Sequence, residues 1–206
     1  MPELRTIAGT AAAGVILLAF ATRLRAVQSA DDALERFAGR VRQRPRAMRA
    51  AGIGTLPGEP YMHPSIGAAT AVLLLTTRGG PVARVLLPLA AASVGAIVAH
   101  HAIKFFYRRP RPAIALERGK TEPAFPSGHT TDATAVVATS AYLLLREGVA
   151  PASVVVPVAI VLAVSTAVSR VVLGWHWGTD VLGGWIAGLG VAAGSAGLYE
   201  LLVRLS

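Results

Sequence analysis

The sequence lacks cysteine altogether, although it is 206 residues long. Disulfide bonds and thiolate metal sites are therefore excluded. Charge is scarce as well: charged residues make up 15% of the chain, whereas soluble domains usually carry about 25%. Because hydrophobic residues make up 53% and the mean hydropathy is +0.55, the composition predicts a membrane protein.

Acidic residues and lysines are few, so the formal net charge of +9 comes almost entirely from arginine. Lys104 and Lys120 are the two lysines of the chain. A nucleic-acid-binding protein can be equally basic, but these arginines lie between hydrophobic runs. That placement favours contacts with membrane lipids or an anionic substrate, and no nucleic-acid partner is expected.

Six apolar stretches alternate with polar connections along the chain. Several are shorter than the ~20 residues that cross a bilayer comfortably, so flanking residues must complete them. The pattern predicts an all-α fold, a bundle of six transmembrane helices. We expect a multi-pass protein of the cell membrane, here the bacterial plasma membrane. The stretches are Ile7–Ala21, Tyr61–Thr77, Val85–Ile103, Thr130–Leu145, Ala152–Val168 and Val181–Val203.

The segment between the first two stretches has a different pattern. Ser29, followed by Asp31 and Asp32, has the composition of a helix start, and Pro45 should end or bend the helix. Arginines surround one apolar face, so the segment predicts an amphipathic helix in the headgroup layer. A solvated connector is the alternative. The apolar face consists of Leu34, Phe37 and Val41.

The last stretch contains two pairs of glycines at a spacing of four, Gly184 with Gly188 and Gly190 with Gly194. Small residues at this spacing let neighbouring helices approach closely in membranes. Frequent use of glycine throughout the chain is an equally good explanation.

Polar residues gather beside the third to sixth stretches. The three clusters are Lys104–Pro112 after the third stretch, Pro126–His129 before the fourth, and Ser169–Asp180 between the fifth and the sixth. Because consecutive spans alternate in direction, all three clusters should meet at one face of the membrane. Polar side chains at such positions are costly and by default indicate a functional site.

The residue types in these clusters suit phosphate transfer. Arginine and lysine neutralise phosphoryl oxygens, and arginine does so with two parallel hydrogen bonds. A glycine beside a serine at a helix start offers backbone N–H donors to an anion. Two histidines can divide the roles of nucleophile and general acid. The clusters therefore predict a phosphate-transfer site.

Together the three clusters resemble the three-part signature of the type 2 phosphatidic acid phosphatase (PAP2) superfamily. The signature region runs from residue 104 to residue 180, and each of its eleven specified positions is filled. The resemblance implies a lipid phosphatase built as a single domain over residues 1–206. The matching positions are Lys104, Arg111, Pro112, Pro126, Ser127, Gly128, His129, Ser169, Arg170, His176 and Asp180.

The resemblance implies catalytic roles for three residues. His176 would attack the phosphorus atom and become a phosphohistidine. Asp180, four residues on, would face His176 if the last helix starts here, and would fix its tautomer. His129 would protonate the departing alkoxide and later activate water. His176 must then be neutral and His129 protonated in the first step, so their surroundings must separate their pKa values.

The resemblance also implies a phosphate-binding set and no metal or other cofactor. Lys104, Arg111 and Arg170 would hold the phosphoryl oxygens. Ser127 and Gly128 would add donors from side chain and backbone.

Four polar residues outside the signature have open interpretations. Glu59 can line the path of the substrate, and His100 is typical of a polar group near a helix end. Arg109 either helps to hold a second phosphate or is a solvated charge. Asp132, one turn beyond His129, either hydrogen-bonds to it or caps a helix.

The signature leaves the substrate and the reaction partly open. Candidate substrates are phosphatidic acid, phosphatidylglycerol phosphate, an isoprenyl diphosphate and a prenyl-phosphoryl sugar phosphate. A phosphotransferase would use the same site with a lipid or sugar hydroxyl in place of water. A non-catalytic membrane protein that binds anionic lipids is an alternative from a different class.

The distribution of arginine and lysine leaves the membrane side of the site open. Apart from the three cations of the signature, twelve basic residues fall on the predicted face of the site and five on the opposite face. The positive-inside rule would place the site toward the cytoplasm, whereas resemblance to bacterial PAP2 proteins points outward.

Overall fold

The computed structural model of the protein describes residues 2–205, and every regular element in that range is helical. Nine α-helices and one short 3-10 turn, Leu56–Gly58, are found among these residues. The helices are α1 (Pro2–Ala21), α2 (Arg25–Arg42), α3 (Pro45–Gly54), α4 (Met62–Thr77), α5 (Val82–Phe106), α6 (Ala113–Glu117), α7 (Gly128–Arg146), α8 (Ala152–Val172) and α9 (Gly178–Leu205). The all-α prediction is confirmed.

Each of the six predicted stretches corresponds to one helix. Tyr61 lies just before α4, and the other five stretches lie within helices that extend beyond them at one or both ends. Four helices, α1, α5, α8 and α9, are long and apolar enough to cross a membrane. Helix α4 is also apolar but has 16 residues. Helix α7 has 19 residues, among them several threonines that are buried against other helices. The count of six spans therefore stays a prediction.

The connections between helices follow local backbone chemistry. Between α4 and α5, Gly79 and Gly80 both have positive φ angles, as does Gly148 between α7 and α8. Side chains rarely adopt this conformation, whereas glycine adopts it without steric cost. Pro45 occupies the first turn of α3, where its missing N–H has no helical partner to lose. It thus ends α2 as predicted.

The predicted start of α2 at Ser29 is wrong. The helix begins at Arg25, with Leu24 in the N-cap position, and the aspartates therefore lie inside it. Asp31 is buried, because it faces α9 and makes tertiary hydrogen bonds that the local sequence cannot indicate. Its neighbour Asp32 is exposed.

Helix α2 lies against α8 and α9 through its small and polar residues. Ala38 packs with Val171 and Val181 in one apolar cluster, while Leu34 and Phe37 are exposed. The exposed apolar side chains and the exposed arginines are compatible with the headgroup layer. Whether α2 lies there stays a prediction.

Helix α9 packs closely against α7, because two glycines of α9 face it. A Cβ atom on Gly184 would lie 2.9 Å from the Ser127 carbonyl oxygen, and one on Gly188 would lie 2.7 Å from the Thr134 Cβ. Gly190 makes a similar close contact with Ala11 of α1, whereas Gly194 has no neighbour within 4 Å of such an atom. Three of the four predicted glycines thus lie at helix contacts.

Candidate active site

The three predicted clusters come together at one end of the bundle. Helix α5 and the connection after it supply Lys104 and Arg111, and the start of α7 supplies the Ser127–His129 segment. Helix α8 ends near Arg170, and the connection to α9 carries His176. Each of these elements reaches the same end because successive long helices run in opposite directions.

His176 lies at the centre of the cluster, and its side chain is 2% exposed. Its two ring nitrogens face groups of opposite charge. The Nε2 atom lies 3.3 Å from Nη1 of Arg111, and Nδ1 lies 3.5 Å from Oδ2 of Asp180. The second distance exceeds that of a good hydrogen bond. The orientation leaves Nε2 on the cationic side, where a phosphoryl group would bind.

Burial lowers the pKa of the His176 imidazole well below its usual value, and the positive charges of Arg111, Arg170 and Lys104 lower it further. Water no longer stabilises the imidazolium, and the three cations repel it. His176 is therefore neutral at neutral pH. This is the protonation state that a nucleophile requires.

Arg111 is held in a fixed orientation by backbone carbonyl groups. Its Nε atom donates to the Glu122 carbonyl at 2.8 Å, and its Nη1 atom donates to the Trp175 carbonyl at 2.8 Å. Nη1 also lies 3.3 Å from Nε2 of His176, and Nη2 lies 3.7 Å from Oε2 of Glu122. A preorganised arginine of this kind suits two-point contact with a phosphoryl group.

Arg170 lies at the end of α8 and is buried. Its Nη1 atom donates to Oγ1 of Thr55 at 2.9 Å, while its buried Nε atom has no hydrogen-bond partner among the described residues. A buried donor without a partner is costly, and a bound phosphoryl oxygen would satisfy it. Thr55, just before the 3-10 turn, was not predicted to contact the site.

The Ser127–His129 segment forms the N-terminal end of α7. The Ser127 backbone N–H donates to the Asp180 carbonyl at 3.0 Å, which ties the segment to α9. The Ser127 hydroxyl accepts a hydrogen bond from Thr130 at 3.0 Å. The positive end of the α7 dipole therefore points toward the site, as an anion-binding helix start requires.

His129 is more accessible than His176, with 26% of its side chain exposed. Its Nε2 atom lies 3.3 Å from Oε1 of Glu59. The contact was not predicted, and the prediction that Glu59 lines the path of the substrate stays a prediction. When Nε2 carries a proton, the carboxylate can accept a hydrogen bond from it.

Asp132 does not contact His129, although one of the two predictions for it was a hydrogen bond to that histidine. Its Oδ1 atom lies 3.4 Å from Nε2 of His100 instead. Both residues are buried, so His100 belongs to a polar pair inside the bundle.

Arg109 is buried, so the prediction of a solvated charge is wrong. It forms ion pairs with Asp31 at 2.7 Å and with Asp180 at 2.6 Å. The sequence offers little signal, since Asp31 is one of three acidic residues in α2, with Asp32 and Glu35. The partner of Asp31 is not evident from sequence because 78 positions separate the two residues.

A cavity of about 590 Å³ opens beside Lys104. Its other charged lining residues include Arg108, Arg109 and Glu122. The opening lies at the same end of the bundle as the buried histidine. It is large enough to admit a polar headgroup, since ligand pockets usually measure about 300–1,000 Å³.

Carboxylate, cysteine and histidine side chains form no group of three or more that could hold a metal ion within residues 2–205. The residues around His176 are mainly cationic, a charge that suits an anion. The metal independence of the reaction stays a prediction.

Comparisons with known proteins agree on one family. The family model of the PAP2 superfamily matches residues 84–203. Phosphatidylglycerophosphatase B of Bacillus subtilis (strain 168) is 33% identical over 182 residues, which cover 84% of this chain and 85% of that protein. The crystal structure of the first transmembrane PAP2 type phosphatidylglycerolphosphate phosphatase from Bacillus subtilis superposes with a TM-score of 0.81 and 27% identity. That superposition covers 97% of this chain and 98% of the other.

Proposed function

The chain belongs to the PAP2 superfamily, and on this premise we propose that it is an integral membrane phosphatase acting on phosphatidylglycerol phosphate. Lipid phosphatase activity follows from the family. The choice of this lipid is supported by the names of the two similar Bacillus proteins. Phosphatidic acid and isoprenyl diphosphates are the substrates against which it should be compared.

One observation carries the proposal: a neutral, buried imidazole faces several cations, while its other nitrogen faces a carboxylate. Arg111 lies beside Nε2 of His176 and Asp180 beside Nδ1. Cations at this position stabilise the charge on a transferring phosphoryl group. The carboxylate would hold the proton on Nδ1 and leave the Nε2 lone pair free for attack.

The reaction proceeds in two steps at this site. Nε2 of His176 forms a bond to phosphorus as the P–O bond to the lipid alkoxide breaks, and the alkoxide takes a proton from His129. Water then attacks the phosphohistidine while His129 removes a proton from it. Inorganic phosphate leaves, and His176 returns to its neutral form.

The phosphoryl oxygens are held by groups from four elements. Lys104, Arg111 and Arg170 provide positive charge, and Ser127 and Gly128 provide donors at the N-terminal end of α7. Because the donors are fixed before substrate arrives, they require little reorganisation as charge develops in the transition state.

The protein crosses the bilayer six times in this proposal, through α1, α4, α5, α7, α8 and α9. Helix α2 lies in the headgroup layer beside the active site, and the whole chain forms a single PAP2-type domain. The membrane is the bacterial plasma membrane. A lipid substrate then diffuses in the bilayer and presents its phosphate at the end of the bundle.

The first test is phosphate release by purified protein in detergent with EDTA. Phosphatidylglycerol phosphate, phosphatidic acid and undecaprenyl diphosphate are compared, with His176→Ala as the inactive variant. We expect release to continue in EDTA, to be fastest with phosphatidylglycerol phosphate, and to be lost in His176→Ala. Removing a nucleophile lowers the rate by about 10⁶-fold in a well-studied hydrolase, so no residual release should be detected.

Activity that disappears in EDTA and returns with a divalent cation would contradict the metal-free mechanism. Activity retained by His176→Ala would contradict the role of the nucleophile. Adding a lipid or sugar alcohol as acceptor distinguishes hydrolysis from phosphotransfer, because a phosphotransferase would form a new phosphate ester.

A further inference from the structure

Arg109 lies outside the PAP2 signature, yet its guanidinium bridges two carboxylates at the active site. Nη1 donates to Oδ1 of Asp180 at 2.6 Å and to Oγ1 of Thr179 at 2.6 Å. Nη2 donates to Oδ2 of Asp31 at 2.7 Å. Arg109, Asp31 and Asp180 are all buried. The planar guanidinium thereby fixes the position of one carboxylate relative to the other.

Asp31 also binds the first turn of α9 directly. Its Oδ1 accepts a hydrogen bond from the Thr179 backbone N–H at 3.0 Å, and its Oδ2 accepts one from the Thr179 hydroxyl at 2.6 Å. A Cβ atom on Gly178 would lie 2.6 Å from a methyl carbon of Leu34 and 3.3 Å from Oδ1 of Asp31. The glycine allows α2 to come close enough for these bonds.

The two oxygens of Asp180 have separate partners. Arg109 binds Oδ1, whereas Oδ2 accepts a hydrogen bond from the Trp177 backbone N–H at 2.9 Å. The same Oδ2 lies 3.5 Å from Nδ1 of His176. Rotation of the carboxylate would break the bond to Arg109, so Arg109 determines which oxygen faces the histidine.

A single guanidinium lies between the two carboxylates of this group. Burial acts to lower the pKa of Arg109, but the adjacent carboxylates of Asp180 and Asp31 outweigh it and raise the pKa above its usual value. Removing one partner from a buried ion pair leaves an uncompensated charge, which is strongly unfavourable. Loss of Arg109 would leave two facing carboxylates beside the nucleophile.

We propose that Arg109 is a positioning residue for the Asp180–His176 pair, and that Asp31 of α2 holds Arg109 in place. Helix α2 is then part of the catalytic machinery and has a role beyond contact with the membrane. The inference rests on the proposed function, because it assumes that His176 is the nucleophile.

The expected signature of this role is a change in the titration of His176. The charged groups around that histidine are Lys104, Arg111, Arg170 and Asp180, and His129 is near enough to interact with it electrostatically. Weakening the hold on Asp180 leaves its negative charge less compensated. The pKa of His176 would then rise, and the acidic limb of the pH–rate profile would move to higher pH.

The test compares Asp31→Asn and Arg109→Lys with the matched control Asp32→Asn. Asp32 neighbours Asp31 on the same helix but is exposed, so its substitution changes net charge equally without touching the network. Asparagine retains the size of aspartate, and lysine retains the positive charge. Phosphate release from phosphatidylglycerol phosphate is measured from about pH 4 to pH 9 around the reference pKa of histidine, together with thermal unfolding in detergent.

We expect kcat to fall about 10-fold to 100-fold in Asp31→Asn and Arg109→Lys, the size of effect that small misplacements of reacting groups produce. KM should change much less, and the acidic limb of kcat/KM should move to higher pH in Arg109→Lys. In Asp31→Asn it should move to lower pH, because the loss of the Asp31 charge leaves Arg109 to compensate Asp180 alone. Asp32→Asn should retain the kcat and the pH profile of the wild-type protein.

Two outcomes would overturn the inference. The first is that Asp31→Asn and Arg109→Lys have the same kcat and the same pH profile as the control Asp32→Asn. The other is a loss of kcat accompanied by a lower unfolding temperature and an unchanged pH profile, which indicates a purely structural network. An inactive wild-type protein would instead contradict the proposed function and is recognised before any variant is compared.

Discussion

His176 and His129 differ in their exposure and in the groups nearest to their ring nitrogens. His176 is enclosed by protein and faces three cations, whereas His129 is partly exposed and contacts the carboxylate of Glu59. The first environment favours the neutral ring of a nucleophile. The second leaves part of the ring accessible beside the Glu59 carboxylate, and the role of His129 as the acid stays a proposal.

His129→Ala should affect substrates according to their leaving group. A lipid alkoxide leaves poorly and needs a proton, so we expect a monoester such as phosphatidylglycerol phosphate to lose about 10²–10⁴ in rate, the usual size of general acid catalysis. An isoprenyl diphosphate releases a phosphate group and should lose clearly less. Both rates are measured by phosphate release from the same protein preparation.

Equal losses on the two substrates would show that His129 does not act as the acid. The companion variant Glu59→Gln removes the charge next to His129 without removing the ring. If the carboxylate supports the protonated form of His129, Glu59→Gln should also slow the monoester more than the diphosphate. Both losses should be smaller than in His129→Ala.

The residues that the sequence predicts well are those for which residue type and spacing carry the chemistry. All eight predicted site residues lie at one end of the bundle, because the alternation of helices requires it. Thr55, Glu59 and Arg109 make contacts that depend on tertiary packing. No local pattern distinguishes Arg109, which is buried, from Arg108, which is exposed.

At the scale of the helices, the contact between α7 and α9 fixes the position of the Ser127–His129 segment. Gly184 and Gly188 lie on the side of α9 that meets α7, where even one methyl group would reach backbone atoms. The start of α7 carries Ser127, Gly128 and His129. Its placement beside His176 therefore depends on how closely the two helices approach.

Gly188→Ala should destabilise the protein by about 1–3 kcal/mol, the usual cost of overpacking a well-packed contact. The new Cβ would lie 2.8 Å from the Thr131 carbonyl oxygen and 3.1 Å from the Ala135 nitrogen, so α7 would have to move. Gly194→Ala is the matched control on the same helix, because no atom lies within 4 Å of its new Cβ. Unfolding temperatures in detergent provide the comparison.

Both substitutions add the same methyl group and the same gain in helix propensity. We therefore attribute the difference in unfolding temperature to the contact alone. Identical unfolding temperatures for the two proteins would mean that α7 and α9 are farther apart than in this structure. Phosphate release should also decline in Gly188→Ala, because the Ser127–His129 segment at the start of α7 would move with that helix.

Helix positions were largely predictable from hydrophobic runs, but the start of α2 was not. Runs of apolar residues indicate helices because the backbone must satisfy its own hydrogen bonds in lipid. Ser29 and Asp31 have the local composition of a helix start, yet the contacts of Asp31 with Arg109 and Thr179 place it inside the helix. Long-range contacts of this kind overrule local preference.

At the scale of the whole molecule, the topology determines which segments share a membrane face. Six spans would place α2 and the connection between α5 and α7 on one side, and the connection between α7 and α8 on the other. If α1, α5, α8 and α9 alone crossed the membrane, the connection between α5 and α7 would lie on the same side as the connection between α7 and α8. Labelling from one side of the membrane distinguishes these arrangements.

The absence of cysteine makes single-cysteine labelling direct. Ser29 in α2, Thr121 between α5 and α7, and Ser153 in the first turn of α8 are exposed. Each can be replaced by cysteine with little change in size. A membrane-impermeant maleimide is added to intact cells. We expect it to label either both Ser29→Cys and Thr121→Cys or neither of them. Ser153→Cys should give the opposite result. Full labelling after solubilisation in detergent is the control.

If Thr121→Cys instead behaves like Ser153→Cys, the six-span topology is wrong. The same experiment identifies the side of the active site, for which the distribution of arginines and the resemblance to bacterial PAP2 proteins give opposite expectations. Labelling of Ser29→Cys from outside the cell would place the site at the outer face.

The bridge between Asp31, Arg109 and Asp180 also has a consequence for how the protein is made. Synthesis delivers Asp31 first, Arg109 78 positions later and Asp180 a further 71 positions later. A nascent chain that has inserted α1 to α8 therefore holds an arginine whose second carboxylate has not yet left the ribosome. A chain that stops before α9 keeps the ion pair between Arg109 and Asp31 but lacks the carboxylate that faces His176, which distinguishes it from a completed protein.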